Sequence, residues 1–402
     1  MNSNFIGSLR AGWDRHRVTL LRVAIIVLFV LALLKLGTES YRLLGDTSHK
    51  GAIDLKQRQT EVQNWFAGRR VYGVVHSASY PPASYAMLWP LIGWLAFTPA
   101  RWVWAASTAA ALGGLTLLIV RHSGASSRLE RIFVALLPLS MNATGVAIGN
   151  GQLPLHVLVA LVAGLVLLHR ARGLWRVELG SAMLILAAFV KPNMAIPFFW
   201  LACFIPGTLR PALLIGAGYV ALTLLAVSFQ PSGLAPLLQD WAAGGVQIAT
   251  GASTEWSYAN LHSWAAVLGL EKWNTSVSLL ALAGLGLWVY WHRHADLWLL
   301  LGVTALLTRL WTYHGIYDDV LILLPMLALF RVAKQSRAAD GGVVAGILLA
   351  STTLAMLAPA RLLFSPQPWR LLFAAVHAII WLAVLMFLLE RAHRDKRLRV
   401  CA

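Results

Sequence analysis

The groups able to do chemistry in this 402-residue chain are concentrated in short polar breaks between long apolar runs. Asp54 stands in the first break, ahead of the amphipathic segment DLKQRQTEVQNWFAG. A partly desolvated carboxylate near a bilayer surface can act as a general base. Tyr80-Pro81-Pro82 follows it. Gly149-Asn150-Gly151-Gln152 then offers two amides, Asn150 and Gln152, suited to sugar hydroxyls or phosphate oxygens. Lys191-Pro192-Asn193 sets an ammonium directly after an apolar run. A charge there is costly unless it is paired or faces a cavity, and it can neutralise a phosphate as a point charge. A later segment, Glu255 to His262, mixes carboxylate, aromatic and amide groups, and Glu255, Trp256 and His262 are its candidates for acceptor contact. The densest break runs from Trp311 to Asp319, with Arg309 just upstream. Its His314, Asp318 and Asp319 can orient a base, bind hydroxyls or hold a cation.

Each of these residues also fits a structural duty. Asp54 can cap the helix it precedes, and Asn150 and Gln152 can belong to an ordinary tight turn. Lys191 can snorkel to the interface. Adjacent Asp318 and Asp319 suit a divalent ion and equally suit the start of the next helix. The chain has no Walker motif, no dinucleotide-binding glycine fingerprint and no His/Cys metal cluster. No cofactor is therefore expected, with a divalent metal at Asp318/Asp319 left open, and nucleotide hydrolysis is not.

The elements that must position these groups are membrane helices. Hydrophobic residues make up 58% of the chain and charged residues 12%, against roughly 25% charged in a soluble domain. The mean hydropathy is +0.68. A formal charge of +17 would suggest nucleic acid in a soluble protein. Here the basic residues lie mainly in short loops between apolar runs, which reads as topology and excludes a nucleic-acid partner. Cys203 and Cys401 are too far apart, and too differently placed, to suggest a disulfide framework. Arg10, Arg15 and Arg17 precede an apolar run from Val18 to Leu36 with no small-residue cleavage site after it. This predicts a retained first helix rather than a signal peptide.

Further apolar runs at about 101–120, 132–148, 153–168, 179–190, 194–206, 212–229, 275–291, 297–312, 319–330, 341–363 and 369–389 bring the expectation to about 12 crossings. The segment from 84 to 98, interrupted by Pro90, is expected to be re-entrant or tilted. The fold class is thus an all-α polytopic integral membrane protein of one transmembrane domain, residues 1–402. Residues 38–83 form a first outer loop carrying interfacial helices, and residues 230–274 form a second. With both termini cytoplasmic, the basic segments at the N-terminus, 121–131, 169–176, 210, 292–294, 331–337 and 391–399 fall on one side. Arg69, Arg70, Arg361 and Arg370 depart from that rule. The polar breaks gather on the other side, the outer face of the inner (plasma) membrane.

The order of these pieces resembles glycosyltransferase family 87, the polyprenyl-phosphate-mannose-dependent α-mannosyltransferases of the GT-C superfamily. The resemblance rests on Asp54 followed by Trp65, Gly68 and Tyr72, then Tyr80-Pro81-Pro82, Gly149-Asn150-Gly151-Gln152, Lys191-Pro192-Asn193 with Pro197, and a polar cluster before Leu323-Leu324-Pro325. It spans roughly residues 45–330. It implies a GT-C-like bundle, a polyprenyl-phosphate-linked sugar donor, and a lipid or glycan acceptor among the membrane lipids. It implies an inverting displacement with Asp54 as base and Lys191 and Arg309 on the leaving phosphate. Tyr80, Asn150, Gln152 and Asn193 would complete the donor site. Aligned from Pro325, the places where family members commonly show histidine hold Asp318 and Asp319, with His314 a turn earlier. Leu153-Pro154 follows Gln152 where a polar residue is usual. Both departures bear on which sugar is carried.

A membrane transporter or lipid flippase is the main alternative. It would distribute polar groups through both halves of the membrane, whereas here the helix interiors are nearly free of charge. A noncatalytic scaffold would have no need of Asp54 and the 313–319 cluster on one face. Accessibility reporters placed in Ser123–Arg128 and in Gln230–Asn274 are expected on opposite faces, with Ser123–Arg128 cytoplasmic. Labelling of both from the same side would overturn this topology.

Overall fold

The computed structural model describes residues 3–75, 78–170, 173–205, 209–255, 259–335 and 341–400. Its described residues form helices and connecting turns, with no strand among them. The chain opens with α1 (Ser3–Leu44), longer at both ends than the apolar run Val18–Leu36. It continues with α2 (Ile53–Phe66), α3 (Pro82–Leu88) with a π-helical extension Trp89–Gly93, α4 (Phe97–His122), α5 (Arg128–Ser140) and α6 (Asn142–Asn150). Next come α7 (Pro154–Arg170), α8 (Trp175–Ala188), α9 (Pro192–Phe204), α10 (Arg210–Val227), α11 (Leu234–Glu255) and α12 (Leu261–Val267). The last are α13 (Asn274–His292), α14 (Leu297–Trp311), α15 (Leu323–Gln335), α16 (Gly342–Leu357) and α17 (Trp369–Val400).

Five helices among the described residues are long and apolar enough to cross a membrane: α1, α4, α10, α13 with the short turn before it, and α17. The pair α5 and α6, bent by 45° at Met141, makes a sixth if taken as one span. The shorter apolar helices α7, α9, α14 and α16 pack among them. The protein is therefore a polytopic membrane protein. The 230–274 segment differs from the expected loop, since most of it is helix. Its Leu234, Leu237, Leu238 and Trp241 recur at helical spacing. Trp241 Nε1 donates to Ser79 O at 2.9 Å, and Asp240 pairs with Arg70 at 3.2 Å, tying α11 to the first polar segment.

Two features position the first break. The face of α2 formed by Leu55, Arg58, Gln59, Val62 and Trp65 is buried at the spacing of an amphipathic helix. Gln59 Nε2 donates to Ile92 O at 3.1 Å and Leu95 O at 2.9 Å, and Trp65 Nε1 donates to Ala226 O at 2.8 Å. The helix is thereby clamped between the end of the π-helical stretch and the end of α10. The second feature is the close of α6. Gly151 adopts φ 72°, a left-handed C-cap that glycine takes without strain, and a Cβ there would lie 2.5 Å from Leu55 Cβ. The Gly149–Gln152 break thus meets α2 one residue from Asp54. On its other side α6 packs on α1, where Lys35 Nζ donates to Asn142 Oδ1 at 2.9 Å.

Gly151→Ala is expected to lower stability by about 1–3 kcal/mol, through backbone strain and overpacking against Leu55. Gly113→Ala, where a Cβ meets nothing within 4 Å, is expected to leave the thermal midpoint unchanged or raised. Equal midpoints for the two variants in detergent would refute the contact.

Candidate active site

A proline starts the site. After α8 ends at Ala188 the chain could run on as helix, but Pro192 disfavours helical backbone in the residue before it. Lys191 accordingly adopts φ −127° and ψ 82°, and Pro192 opens α9. The break turns the Lys191 ammonium into the bundle, where it is only 4% exposed. A second irregular stretch meets it. Gly315 precedes a 3-10 run, Ile316–Ile322, which ends where α15 begins. Lys191 Nζ donates to Asp318 Oδ1 and lies 4.6 Å from the centre of the Tyr317 ring. His314 Nδ1 bonds the other carboxylate oxygen, Asp318 Oδ2, at 3.0 Å. Three groups named from sequence therefore form one buried chain, Lys191–Asp318–His314.

A second set of contacts supports this chain. Arg309, fully buried, donates through Nε to Asp319 Oδ1 and stacks its guanidinium over Trp381 at 4.8 Å. Arg309 was expected to face a phosphate; the structure instead puts it beneath the 3-10 stretch, holding Asp319. Trp311 Nε1 donates to Asn193 O at 3.1 Å, and Asn193 Nδ2 reaches Tyr313 O at 3.5 Å. His262 was expected to meet the acceptor. It is buried, with Nε2 2.8 Å from Ser278 Oγ, which in turn donates to Trp311 O at 2.6 Å. It braces the end of α14 from behind. The Glu255 side chain and Trp256 lie outside the described residues.

Asp54 differs from the other acids here. The start of α2 is capped by Ala52 in a left-handed conformation with no side-chain hydrogen bond. Asp54 sits in the first turn, half-buried, with no hydrogen-bond or ion-pair partner among the described residues. Its charge acts on Lys191, Arg58, Tyr80, Tyr313 and Tyr317. Gly151, between Asn150 and Gln152, lies against Leu55, the residue after Asp54. Asn150 is half-buried, and its Oδ1 is enclosed without a protein hydrogen-bond partner among the described residues.

Sequence reasoning passed over Arg58 and Glu61. They are four and three residues from neighbours on the buried face of α2, and Arg58 pairs with Glu61 at 2.7 Å. The Arg58 guanidinium lies 4.4 Å above the Tyr80 ring, and Tyr72 OH donates to Tyr80 O at 2.7 Å. Tyr80, an expected donor-site residue, thus meets the site through Arg58. The signal available in the sequence was an i,i+3 arginine–glutamate pair in an amphipathic segment, which a surface reading leaves in solvent. Glu61 is instead 0% exposed. Burial raises its carboxyl to about 7, and the opposing pull of Arg58 and the hydrogen bond from Gln57 only partly offset this.

The arrangement combines one uncommitted carboxylate, a buried ammonium and half-buried tyrosines and amides around them. Asp318 and Asp319 turn to different cations, Lys191 and Arg309. Among the described residues no three His, Cys, Asp or Glu side chains gather as a metal-ligand set. A carboxylate without a partner can take a proton from a hydroxyl, and a fixed ammonium can stabilise negative charge.

The model of glycosyltransferase family 87 matches residues 78–312. The chain belongs to that family. It is a membrane glycosyltransferase. The match takes in Tyr80, Asn150, Gln152, Lys191, Asn193, His262 and Arg309, while Asp54, His314, Asp318 and Asp319 lie outside the matched residues. No curated protein and no solved structure matches the chain.

The Glu61 carboxyl sets a pH dependence. Its folded-state value of about 7 lies above that of an unfolded glutamate, so between the two the folded chain holds a proton that the unfolded chain has lost. Stability from this group is full below the ordinary glutamate range and falls as pH rises through about 7. The thermal midpoint in detergent is expected to fall between pH 5 and pH 8, and Glu61→Gln to flatten that fall. A wild-type midpoint that rises across this window would refute the assignment.

Proposed function

We propose that this glycosyltransferase takes its sugar from a polyprenyl phosphate and transfers it to a lipid or glycan acceptor at the outer face of the inner membrane. Mannose is the sugar the family resemblance favours. The observation that carries the reading is Asp54, a carboxylate with no hydrogen-bond or ion-pair partner among the described residues, whose charge acts on Lys191, the ammonium of the Lys191–Asp318–His314 chain.

The chemistry follows from those groups. Asp54 accepts the proton of the acceptor hydroxyl, and the oxygen attacks the anomeric carbon from the face opposite the phosphate. The bond from that carbon to the phosphate oxygen breaks, the polyprenyl phosphate leaves with the electron pair, and the new glycosidic bond to the acceptor oxygen carries the inverted configuration. Charge develops on the leaving oxygen, so a cation already fixed nearby lowers the barrier. Lys191 supplies that cation, held in place by Asp318. Arg58, fixed by Glu61 and Tyr80, is a second cation on which the charge of Asp54 acts. Asn150, Gln152 and Asn193 supply amides for sugar hydroxyls. Arg309 acts from beneath by holding Asp319.

A topology of twelve passes accompanies this reading. Counting α5 with α6 as one, and adding α7, α8, α9, α14, α15 and α16 to the long apolar helices, gives that number. The short α3 and its π-helical extension then remain at the outer face. Both termini are cytoplasmic on this reading.

The test is transfer of radiolabelled mannose from polyprenyl-phosphate-mannose to a membrane-lipid extract by the purified chain, with and without EDTA. Wild type is expected to transfer in both conditions. Asp54→Asn is expected to lose activity by a factor of about 100 or more. Activity retained in Asp54→Asn would move the base to the His314–Asp318 pair. No transfer from any polyprenyl-linked sugar would overturn the donor assignment and return the chain to the flippase reading.

A further inference from the structure

The end of the bundle away from Asp54 holds a second polar site. The helix α7 links the two ends directly, since it starts two residues after Gln152 and ends at Arg170. Its 17 residues put about 25 Å between them. At this far end the last turns of α4 and α7, the turn 293–296 after α13, the first turn of α14 and Arg331 of α15 line a cavity of about 490 Å³. Arg170, Arg293, Arg331 and three histidines line it, and Asp296 is the one acidic residue in the lining among the described residues.

That acid is already used. Asp296 Oδ1 caps α14 by accepting from Trp298 N at 2.9 Å and Leu299 N at 3.3 Å, and its Oδ2 pairs with Arg331 at 3.1 Å. Arg331 also donates to His122 O at 2.7 Å, which joins α15 to the end of α4. The other two guanidiniums have no acidic partner among the described residues. Arg170 meets His122 Nδ1 at 3.4 Å, and Arg293 donates to Tyr290 O at 3.3 Å while lying 4.5 Å above the Tyr290 ring. The His122 ring in turn lies 5.4 Å from the Trp298 ring, which walls the cavity. The positive-inside rule accounts for basic residues in each of these loops separately. It does not call for their convergence, from separate elements, on one concave site whose positive charge exceeds its negative charge. Arginine forks fit phosphate oxygens, and basic pockets between membrane helices on the cytoplasmic side take anionic headgroups.

We propose that this cavity binds a phosphate-bearing anion, either an anionic phospholipid headgroup or a small phosphate ester, at a site separate from glycosyl transfer. The full chain, purified in detergent, is tested by native mass spectrometry against phosphatidylglycerol, phosphatidylcholine and inorganic phosphate. The double variant Arg170→Gln/Arg293→Gln removes the two guanidiniums without acidic partners. The control Arg128→Gln/Arg131→Gln removes the same charge from exposed positions at the start of α5, on the same end of the bundle.

Wild type is expected to retain phosphatidylglycerol in preference to phosphatidylcholine, with affinity at least about tenfold weaker in the double variant and within about twofold in the control. Binding of inorganic phosphate with the same variant dependence, and no preference between the lipids, supports the site and makes its ligand a soluble phosphate ester. Absence of both, or equal losses in the two variants, overturns the proposal. Unliganded thermal midpoints that match wild type show that the variants fold. If the midpoint of the double variant falls, the single variant Arg293→Gln, at the half-buried C-cap of α13, takes its place.

Discussion

An ammonium buried in a membrane protein must have a counter-charge, and the pairing of Lys191 with Asp318 is the constraint from which the rest of the site follows. Removing one partner of a buried pair typically costs about 3–5 kcal/mol, because the other charge is left unpaired. The pair therefore holds together two stretches that would otherwise be loose. One is the break between α8 and α9 imposed by Pro192, and the other is the 3-10 run before α15. Once these are joined, His314 falls against the free edge of Asp318, and Trp311 bonds the backbone of Asn193. Arg309 with Asp319 repeats the device one layer deeper. The irregular backbone at this depth is enclosed by protein, which is the condition under which a membrane tolerates it.

Against this fixed set of charges Asp54 is the exception. It belongs to α2, which is held through Gln59, Trp65 and the Gly151 contact and not through its own carboxylate. The residues that position α2 are thus other than Asp54, its acid without a partner among the described residues. Arg58 and Glu61 carry the same division further, since Glu61 is committed to Arg58 and Arg58 presents its guanidinium over Tyr80. Catalytic power in such a site lies in dipoles and charges that need not rearrange as the reaction proceeds.

Much of this was legible residue by residue. The apolar periodicity of Leu55, Val62 and Trp65 fixed α2 to within two residues, and Pro192 marked the break at Lys191. The Gly149–Gln152 turn announced itself by composition. The partners were not legible. Nothing local in the sequence says that Lys191 meets Asp318, because the pairing is made by the packing of α9 against α14. Arg309 and His262 read as ligand-facing because polar residues near a membrane face usually are, yet both are buried by helices that come later in the chain. Arg58 and Glu61 read as a surface pair because their i,i+3 spacing is the ordinary surface pattern. The 230–274 segment read as a loop because its polar and glycine content broke the apolar run, although α11 and α12 occupy most of it. The basic loops were legible as topology, but their meeting around one cavity needed the third dimension.

The pairing across 127 residues also has a temporal meaning. Synthesis runs from the N-terminus, so Lys191 reaches the membrane long before the ribosome has made Asp318, and Asp54 is older still. Until α14 and the turn after it are in place, Lys191 lacks its counter-charge, although Arg58 already has Glu61 within α2. The buried chain Lys191–Asp318–His314 is therefore completed only late in synthesis, when the 3-10 run before α15 has been made.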